Sequence, residues 1–390
     1  MKSIRDLHLA GKRVLLRADF NVPMEDGKIT DDIRIRMVLP TIQHIIQAGG
    51  KLVICSHMGR PKGERVESFS LAPVAAHLAA LIDCQVNLAP DCIGEEVEAM
   101  VGAMQEKHVV LLENLRFHAA ETKNDLEFAV GLARLADVYI NDAFAVSHRA
   151  HASVVGVAEQ VSEKGAGFLL QKEMDYFQKS MNNPVRPLVA VVGGAKVSSK
   201  LGALENMLDR VDKMIIGGAM ANTFLKSLGV DVGGSKVEDD LLETARQFIE
   251  AAESKGVKIY LPVDFVVGDR FAADAVTKNV TFRDIPTGWM ALDIGPASTQ
   301  LFQEALEGAG TVIWNGPMGA FEMDAFARGT LGICQTLAAS NCLSITGGGD
   351  SNAAVKKFGA EAGISYMSTG GGAFLALMEG KTLPGVDALG

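Results

Sequence analysis

The chain has 390 residues, too many for one ordinary hydrophobic core, and this length predicts two domains. A net charge of −10 disfavours a surface that binds nucleic acid or an anionic membrane, because such surfaces are basic. No membrane-length apolar run, secretory signal or C-x-x-C pair is visible, which favours a cytoplasmic protein whose five cysteines are reduced and buried.

The first half of the chain alternates short β-branched runs with amphipathic stretches. Strands are predicted at 13–17, 52–56, 108–112 and 138–140. Helices are predicted at 33–48, 71–82, 93–104 and 126–136, and Pro40 is expected to kink or restart the first of them. Near-continuous apolar strands that alternate with helices predict a parallel sheet covered on both faces.

The second half repeats this rhythm. Strands are predicted at 187–192, 213–216, 257–261, 311–314 and 342–346, with long helices such as 239–254 and 324–339 between them. Residues 168–180 have the pattern of one helix, and the breaker sequence MNNPVRP follows it. We therefore predict an α/β protein of two doubly wound, parallel-sheet (Rossmann-like) domains joined by a connector helix. The predicted bounds are 1–170 and 185–380 for the domains, 171–184 for the connector and linker, and 381–390 for a C-terminal tail.

Polar residues follow the predicted strands of the first half, where ligands of open α/β sheets bind. The residues that we single out are Asp19 and Asn21 in RADFNVP, His57 and Arg60 in SHMGRP, Arg116 in ENLRFH, and His148, Arg149 and His151 in AVSHRAH, with Arg34 at the start of the first helix. Arginines at several strand ends suit a phosphate together with a carboxylate, because guanidinium pairs with both. The alternatives are solvated surface cations, or a histidine metal site that no H-x-x-x-H pattern supports.

Glycine-rich turns follow four predicted strands of the second half: VVGGAKVSSK, MIIGGAMANTF, VIWNGPMGAFE and SITGGGDSNAA. A fifth, SYMSTGGGAFLALMEGK, precedes the last long helix. Such turns let backbone N–H groups close on phosphate, although glycine also serves tight turns and helix packing. Neither G-x-G-x-x-G nor the Walker pattern is present, so the cation has to come from another turn, as Lys196 or Lys200.

Asp350 stands at the start of a predicted helix, directly after three glycines. A carboxylate there would repel a bare phosphate, but it suits a Mg²⁺ ion that is also bound to the phosphates of a nucleotide. The alternative is a plain helix N-cap.

Eight motifs in this order resemble those of phosphoglycerate kinase, essentially from end to end: RADFNVP, SHMGRP, LLENLRFH, AHASVVG, VVGGAKVSSK, GGAMANTFL, WNGPMGAFE and TGGGDSNAAV. The resemblance implies reversible phosphoryl transfer between ATP and the carboxylate of 3-phosphoglycerate, giving ADP and 1,3-bisphosphoglycerate, a reaction of glycolysis and gluconeogenesis. The acceptor carboxylate is already ionised, so no general base is needed. Domain closure and neutralisation of phosphoryl charge would then carry catalysis.

The resemblance also implies roles for individual residues. The phosphoglycerate site would comprise Asp19, Phe20, Asn21, Arg34, His57, Met58, Gly59, Arg60, Arg116 and Arg149. The nucleotide site would comprise Lys196, Lys200, Gly218, Asn315, Glu322 on the ribose hydroxyls, Gly347, Gly348, Gly349, Asp350 and Ser351, with Asp350 as the metal ligand. The catalytic groups would be Arg34, Lys196, Gly349 and Gly372, the last in a turn of glycines at 370–372. Ser351 stands where many relatives have threonine.

The implied cofactor is Mg²⁺, and the implied partners are the small-molecule substrates alone, with no nucleic acid and no membrane. The resemblance further suggests a cytoplasmic monomer. Two other functions are weighed against it. A Rossmann-type oxidoreductase lacks support because G-x-G-x-x-G is absent, and a catalytically silent nucleotide-binding protein is disfavoured because Lys196, Arg34 and Asp350 are all present.

Overall fold

The computed structural model describes all 390 residues, Met1–Gly390. The chain forms two compact units: the first is Met1–Asp175 together with Thr382–Gly390, and the second is Tyr176–Lys381. The division at 175/176 lies inside the segment predicted as a connector. The predicted tail, by contrast, belongs to the first unit. Gly385 donates its N–H to the carbonyl of Ser147 (2.9 Å) and accepts a hydrogen bond from Asn141 Nδ2 (3.1 Å).

The first unit is built on a six-stranded parallel sheet. The strands of the first unit are β1 (Arg13–Arg17), β2 (Met24–Glu25), β3 (Lys28–Ile29), β4 (Lys51–Cys55), β5 (Gln85–Leu88), β6 (His108–Leu111), β7 (Val138–Asn141) and β8 (Glu163–Ala166). The sheet has the order β5-β6-β4-β1-β7-β8, and β2 and β3 form a separate antiparallel pair. Its helices are α1 (Ile33–Gln47), α2 (Ala72–Leu81), α3 (Glu95–Gly102), α4 (Ala119–Thr122), α5 (Leu126–Ala133), α6 (Val157–Gln160) and α7 (Phe168–Phe177), which continues past the division.

The second unit contains a six-stranded parallel sheet and a three-stranded antiparallel one. Its strands are β9 (Leu188–Val192), β10 (Lys213–Ile216), β11 (Lys258–Tyr260), β12 (Asp264–Gly268), β13 (Thr277–Thr281), β14 (Met290–Ile294), β15 (Thr311–Asn315), β16 (Leu343–Thr346) and β17 (Tyr366–Met367). The orders are β11-β10-β9-β15-β16-β17 and β13-β12-β14. Its helices are α8 (Leu201–Met207), α9 (Met220–Ser227), α10 (Leu242–Ser254), α11 (Pro296–Leu306), α12 (Arg328–Ala339), α13 (Gly349–Lys357) and α14 (Gly371–Met378); α15 (Pro384–Asp387) belongs to the first unit.

The predicted α/β class with doubly wound parallel sheets is confirmed. The central strands are buried on both faces because their sequences are apolar runs, as in β9, where all five residues are buried. In the second sheet β9 and β15 are neighbours, and the strands that follow them along the chain lie on opposite sides: β10 beside β9 and β16 beside β15. The carboxyl ends of β9 and β15 therefore border a crevice of the kind in which ligands bind. In the first sheet the corresponding neighbours are β1 and β7, with β4 beside β1 and β8 beside β7.

Three features differ from the sequence expectations. Helix α1 runs unbroken through Pro40, which lies on its exposed face, so the helix does not restart there. The edge strands β5 and β8 were not predicted because their sequences, QVNL and EKGA, lack an apolar run. The antiparallel sheet was not predicted either, because β13 is mostly exposed and polar. No helix of the chain combines the length and the apolar character needed to cross a membrane.

Candidate active site

Asp19, just beyond β1, organises the carboxyl edge of the first sheet. Its Oδ2 accepts a hydrogen bond from Arg34 Nη1 (3.2 Å), and its Oδ1 accepts one from the N–H of Asn21 (3.1 Å). Arg34 Nη1 also donates to the carbonyl of Asn21 (2.9 Å), and Asn21 Oδ1 accepts from the N–H of Gly59 (2.9 Å). These bonds tie the loop after β1 to the start of α1 and to the loop after β4.

A cavity of about 530 Å³ lies beside this network and is rich in cationic side chains. Arg60, Arg116 and Arg149 line it, together with Lys62, Gly63, His118, Ala119, Thr122 and Lys123, and no carboxylate is among the lining residues. Burial, followed by the positive charges of Arg17 and Arg149, lowers the pKa of Arg116 to about 10. An anion in this cavity would relieve that repulsion, so the lining suits a phosphate or carboxylate group.

His57 is buried at the end of β4 and lies next to a guanidinium group. Its Nδ1 is 3.1 Å from Arg17 Nη2 and 3.8 Å from Asp19 Oδ1. Burial and the nearby arginines hold the pKa of His57 well below its usual value of 6.5, so the ring is neutral at pH 7. Phe20 and Met58, in contrast, place their side chains in the hydrophobic core, and only their backbones are available to a ligand.

The second unit has a cavity of about 450 Å³ at the carboxyl ends of its central strands. Predicted residues that line it are Gly218, Glu322 and Asp350, and the others are Gly194, Ala195, Ala219, Lys236, Phe271, Met290, Ala291, Leu292, Pro317, Gly319 and Ala320. Gly218 has φ +66°, and a Cβ there would lie 2.5 Å from the nitrogen of Gly194. Glycine is therefore required at Gly218 for the loops after β9 and β10 to approach.

Lys200 lies beneath this cavity and connects two of its loops. Its Nζ donates to the carbonyls of Gly193 (2.7 Å) and Asn315 (2.8 Å). Burial lowers the pKa of Lys200 to about 8, and the charge of Asp350 opposes that shift. Glycine at position 316 leaves room for the Lys200 ammonium group, because a Cβ on Gly316 would lie 2.5 Å from Lys200 Nζ.

The three glycines before Asp350 form the start of α13. The N-cap is Gly348, with φ +96°, and Asp350 is an exposed residue of the first turn, so the interpretation of Asp350 as the N-cap is wrong. Asn315 Nδ2 donates to the carbonyl of Gly347 (2.8 Å) and holds the turn in place. The neighbouring glycine turn is close, because a Cβ on Gly371 would lie 3.2 Å from Gly348 Cα.

Seven of the ten predicted nucleotide residues are not among those that line this cavity: Lys196, Lys200, Asn315, Gly347, Gly348, Gly349 and Ser351. The hydroxyl of Ser351 is buried; it accepts from the N–H of Gly316 (2.7 Å) and donates to the carbonyl of Gly347 (3.0 Å), so it joins loops instead of facing the cavity. Lys196 is exposed and is not among the residues that line the cavity. Arg34 belongs to the first unit and Lys196 to the second.

Comparison with known proteins identifies the family. The family model described as phosphoglycerate kinase matches residues 4–381. A phosphoglycerate kinase of Desulfotalea psychrophila is 73% identical over 390 residues and covers 100% of both chains. Another, from Geobacter sp., is 56% identical and covers 98% of this chain and 96% of its own. The solved phosphoglycerate kinase of Coxiella burnetii has a TM-score of 0.91 at 42% identity, covering 100% of this chain and 98% of its own.

The chain belongs to the phosphoglycerate kinase family. It is accordingly a phosphotransferase that acts on a carboxyl group, and it transfers a phosphoryl group between ATP and 3-phosphoglycerate. Neither the oxidoreductase nor the silent nucleotide-binding protein is favoured by this membership.

The sequence analysis missed several residues at or near the two cavities. Arg17 is buried beside His57, and the signal for it was present: Arg17 and Asp19 are two positions apart, so they share one face at the end of β1. Phe271, Met290 and Leu292 line the second cavity, and their role had no signal because the antiparallel sheet that supplies β14 was not predicted.

One group of metal-type ligands also lies outside the predicted set. Ligand atoms of Asp91, Cys92 and His118 lie within 4.8 Å of one another. Each already has a protein partner, because His118 Nε2 is 2.6 Å from Asp91 Oδ1 and the Cys92 thiol donates to the carbonyl of Glu113 (3.0 Å).

Proposed function

We propose that the two units divide the substrates between them, with 3-phosphoglycerate on the first and the nucleotide on the second. The observation that carries this proposal is the contrast between the two cavities. The first is lined by arginines and lysines without a carboxylate, whereas the second is lined by glycines and apolar side chains with Asp350 and Glu322. The first suits a small polyanion, and the second suits a base and ribose with phosphates on the glycine turns.

In the first unit, Arg60, Arg116 and Arg149 are proposed to hold the phosphate of 3-phosphoglycerate. The ligand would also contact Asp19, Asn21 and His57 and backbone groups of Phe20, Met58 and Gly59. Support comes from the pKa of Arg116, which burial and then the charges of Arg17 and Arg149 lower to about 10, because a bound anion would offset these effects.

In the second unit, Lys200, Gly218, Asn315 and the backbone of 347–351 are proposed to hold the phosphates of ATP, with Glu322 on the ribose. Lys200 has two of its three ammonium hydrogens on backbone carbonyls, which leaves one for a phosphate oxygen. The lowered pKa of Lys200, about 8, would return toward its ordinary value when an anion binds.

Asp350 fits the proposed Mg²⁺. Its carboxylate is exposed, lines the nucleotide cavity and is not used as a helix cap, and Mg²⁺ is typically held by one or two carboxylates and substrate phosphates. When bound, the ion would neutralise part of the charge on the phosphates.

The transfer itself is proposed to need positioning and charge neutralisation but no general base. The attacking carboxylate is already ionised at neutral pH. Arg34, Lys196 and the N–H groups of Gly349 and Gly372 would stabilise the equatorial oxygens of the transferring phosphoryl group. Because direct transfer requires reacting atoms about 3–3.5 Å apart, the units have to close on their ligands.

We further propose that the protein is a cytoplasmic monomer. Light scattering coupled to size-exclusion chromatography tests the oligomeric state.

The test is turnover of the purified full chain with 3-phosphoglycerate and Mg²⁺–ATP, followed by ³¹P NMR. Hydroxylamine is included to remove the acyl phosphate, because 1,3-bisphosphoglycerate is higher in free energy than ATP and would not otherwise accumulate. We expect ADP and phosphate to accumulate, and no transfer when glycerol 3-phosphate, which lacks the carboxylate, replaces the acceptor. Nucleotide binding without turnover would contradict the proposal.

A further inference from the structure

Arg17 is a buried cation whose three donor nitrogens all have partners. The residue is 1% exposed at the end of β1. Its Nε donates to Ser153 Oγ (2.8 Å), its Nη1 to the carbonyl of Ala18, and its Nη2 lies 3.1 Å from His57 Nδ1. Guanidinium can only donate, so the Nδ1 of His57 has to be the acceptor.

This contact determines where the proton of His57 lies. A neutral imidazole carries one proton, and because Nδ1 accepts from Arg17, the proton is on Nε2. The other candidate acceptor for an Nδ1 proton, Asp19 Oδ1, is 3.8 Å away and already accepts from the N–H of Asn21. That distance is too long for a hydrogen bond.

Ser153 and Glu121 lie behind Arg17 and fix the direction of every hydrogen bond. Ser153 Oγ accepts from Arg17, and it donates its own hydrogen to Glu121 Oε1 (2.6 Å). Glu121 Oε2 accepts from the N–H of Ser153 (2.9 Å), and the hydroxyl of Tyr139 donates to the Ser153 carbonyl (2.8 Å). Glu121, Ser153 and Tyr139 are all 0% exposed. Water therefore does not compete with these bonds.

Glu121 also interacts electrostatically with Tyr139, Cys55, Cys92 and Arg116. A further titratable group, His151, has its Nδ1 3.7 Å from Glu121 Oε1. Burial, followed by the charges of Arg17 and Arg116, lowers the pKa of His151 to about 4, so it is neutral at pH 7. Glu121 is thus a carboxylate that is linked to Arg17 through the hydroxyl of Ser153. Ser153 lies in a π-helical segment, Ala152–Gly156, of a kind often found at functional sites.

We propose that Glu121 and Ser153 are positioning residues: they hold Arg17 so that His57 keeps its proton on Nε2 and offers it to the anionic substrate. The substrate half of this statement rests on the proposed function; the tautomer half does not. Without Ser153 Oγ, Arg17 Nε would lose its partner, and Arg17 could turn away from His57 Nδ1. His57 would then exchange between its two neutral tautomers.

The first test is ¹⁵N NMR of the substrate-free full chain with labelled histidine, in which the loss of signals in His57→Asn assigns the ring. We expect a protonated Nε2 and an unprotonated Nδ1 at pH 7. A proton on Nδ1 would overturn the proposal, and this result does not depend on whether variants of Ser153 or Glu121 fold.

The second test compares Ser153→Ala with Ser147→Ala. Ser147 is equally buried in the first unit, but its hydroxyl donates to the carbonyl of Ala143 (3.0 Å) and accepts from Asn141. We expect Ser153→Ala to mix the His57 tautomers and to raise KM for 3-phosphoglycerate about tenfold, the effect of weakening one charge-assisted hydrogen bond, with KM for ATP unchanged. Ser147→Ala should change neither quantity, and Ser153→Thr, which keeps the hydroxyl, should restore the single tautomer.

The outcomes separate the two proposals. If Ser153→Ala leaves the tautomer and KM at wild-type values, the positioning role is wrong. If the tautomers respond but saturating 3-phosphoglycerate shifts no His57 signal in the wild-type protein, the network stands and the proposed substrate site fails. Glu121→Gln, which keeps the size but removes the charge, repeats the comparison should Ser153→Ala not fold.

Discussion

At the scale of single residues, Arg149 offers a direct test of the division of substrates between units. It lines the cationic cavity, and its Nε donates to the neutral His148 (3.1 Å) instead of pairing with a carboxylate. A charge-assisted bond to phosphate contributes about 1.5–3 kcal/mol, so Arg149→Ala should raise KM for 3-phosphoglycerate about ten- to over a hundredfold. KM for ATP should stay unchanged in steady-state assays. The control is Arg134→Ala, an exposed arginine 3.7 Å from Glu98, and an equal loss of ATP affinity in Arg149→Ala would contradict the division.

Asp350 tests the proposed metal site at the same scale. Gly348 is the N-cap of α13, so Asp350→Asn removes a charge without removing a cap. Its effect on stability should stay within about 1 kcal/mol, the usual contribution of an acid near a helix N-terminus. We expect turnover to fall strongly and the Mg²⁺ concentration for half-maximal activity to rise, with little change in Tm.

The control for Asp350→Asn is Glu95→Gln, a change to an exposed acid in the first turn of α3. It should leave turnover and the Mg²⁺ titration as they are. Wild-type Mg²⁺ dependence in Asp350→Asn would show that the carboxylate serves only the helix.

At the scale of elements, the start of α7 depends on side chains from two other elements. Asp142, after β7, accepts from the N–H of Leu170 (3.0 Å) through Oδ1, and Thr41 of α1 accepts from the N–H of Phe168 (3.0 Å). Asp142 is 0% exposed. Burial raises the pKa of Asp142 to about 7 from 3.8, against the opposing hydrogen bonds of Thr41 and Leu170.

This raised pKa predicts a pH dependence of stability. Between pH 4 and 7 the folded state binds more protons at Asp142 than the unfolded state, so the contribution of Asp142 to the free energy of unfolding falls as pH rises through that range. A shift of about three pH units limits the loss to about 4 kcal/mol. Asp142→Asn lacks this slope, and its stability relative to wild type should therefore rise from pH 4.5 to 7.5 in calorimetry.

The test compares how the stability difference between Asp142→Asn and wild type changes with pH. Its absolute size is not used, because the introduced amide adds a free-energy cost that does not change with pH. Asp293 also has its pKa raised to about 7 by burial, but it is present in both proteins and cancels in the difference. A stability difference that is flat with pH would show that Asp142 is ionised in the fold across this range.

At the scale of the whole molecule, the proposed mechanism requires groups of both units. Arg34 belongs to the first and Lys196 to the second, and either substrate alone contacts one set of proposed residues. A ligand shifts an equilibrium only by its differential affinity for the two states, so closure should require both substrates. We expect the radius of gyration from small-angle scattering to fall most in the complex with 3-phosphoglycerate and a non-transferring ATP analogue. The same radius without ligand, with either ligand alone and with both, in an active preparation, would exclude closure.

Local patterns of the sequence were sufficient for the two parallel sheets and for most candidate residues. An apolar run such as RVLLR or LVAVV requires burial on both faces, and ligand-binding residues of open α/β sheets follow such strands. Asp19, His57, Arg116 and the glycine turns could therefore be found from their position along the chain alone.

Only the tertiary structure determined what lies opposite each of these residues. Arg17 meets Ser153 across 136 positions, and Asn141 meets Gly385 across 244. The edge strands, the antiparallel sheet and the return of the last residues to the first unit likewise depend on partners far along the chain. Hydrophobic periodicity describes which face of an element is buried, but the partner that covers it is selected by packing and by hydrogen bonds between distant segments.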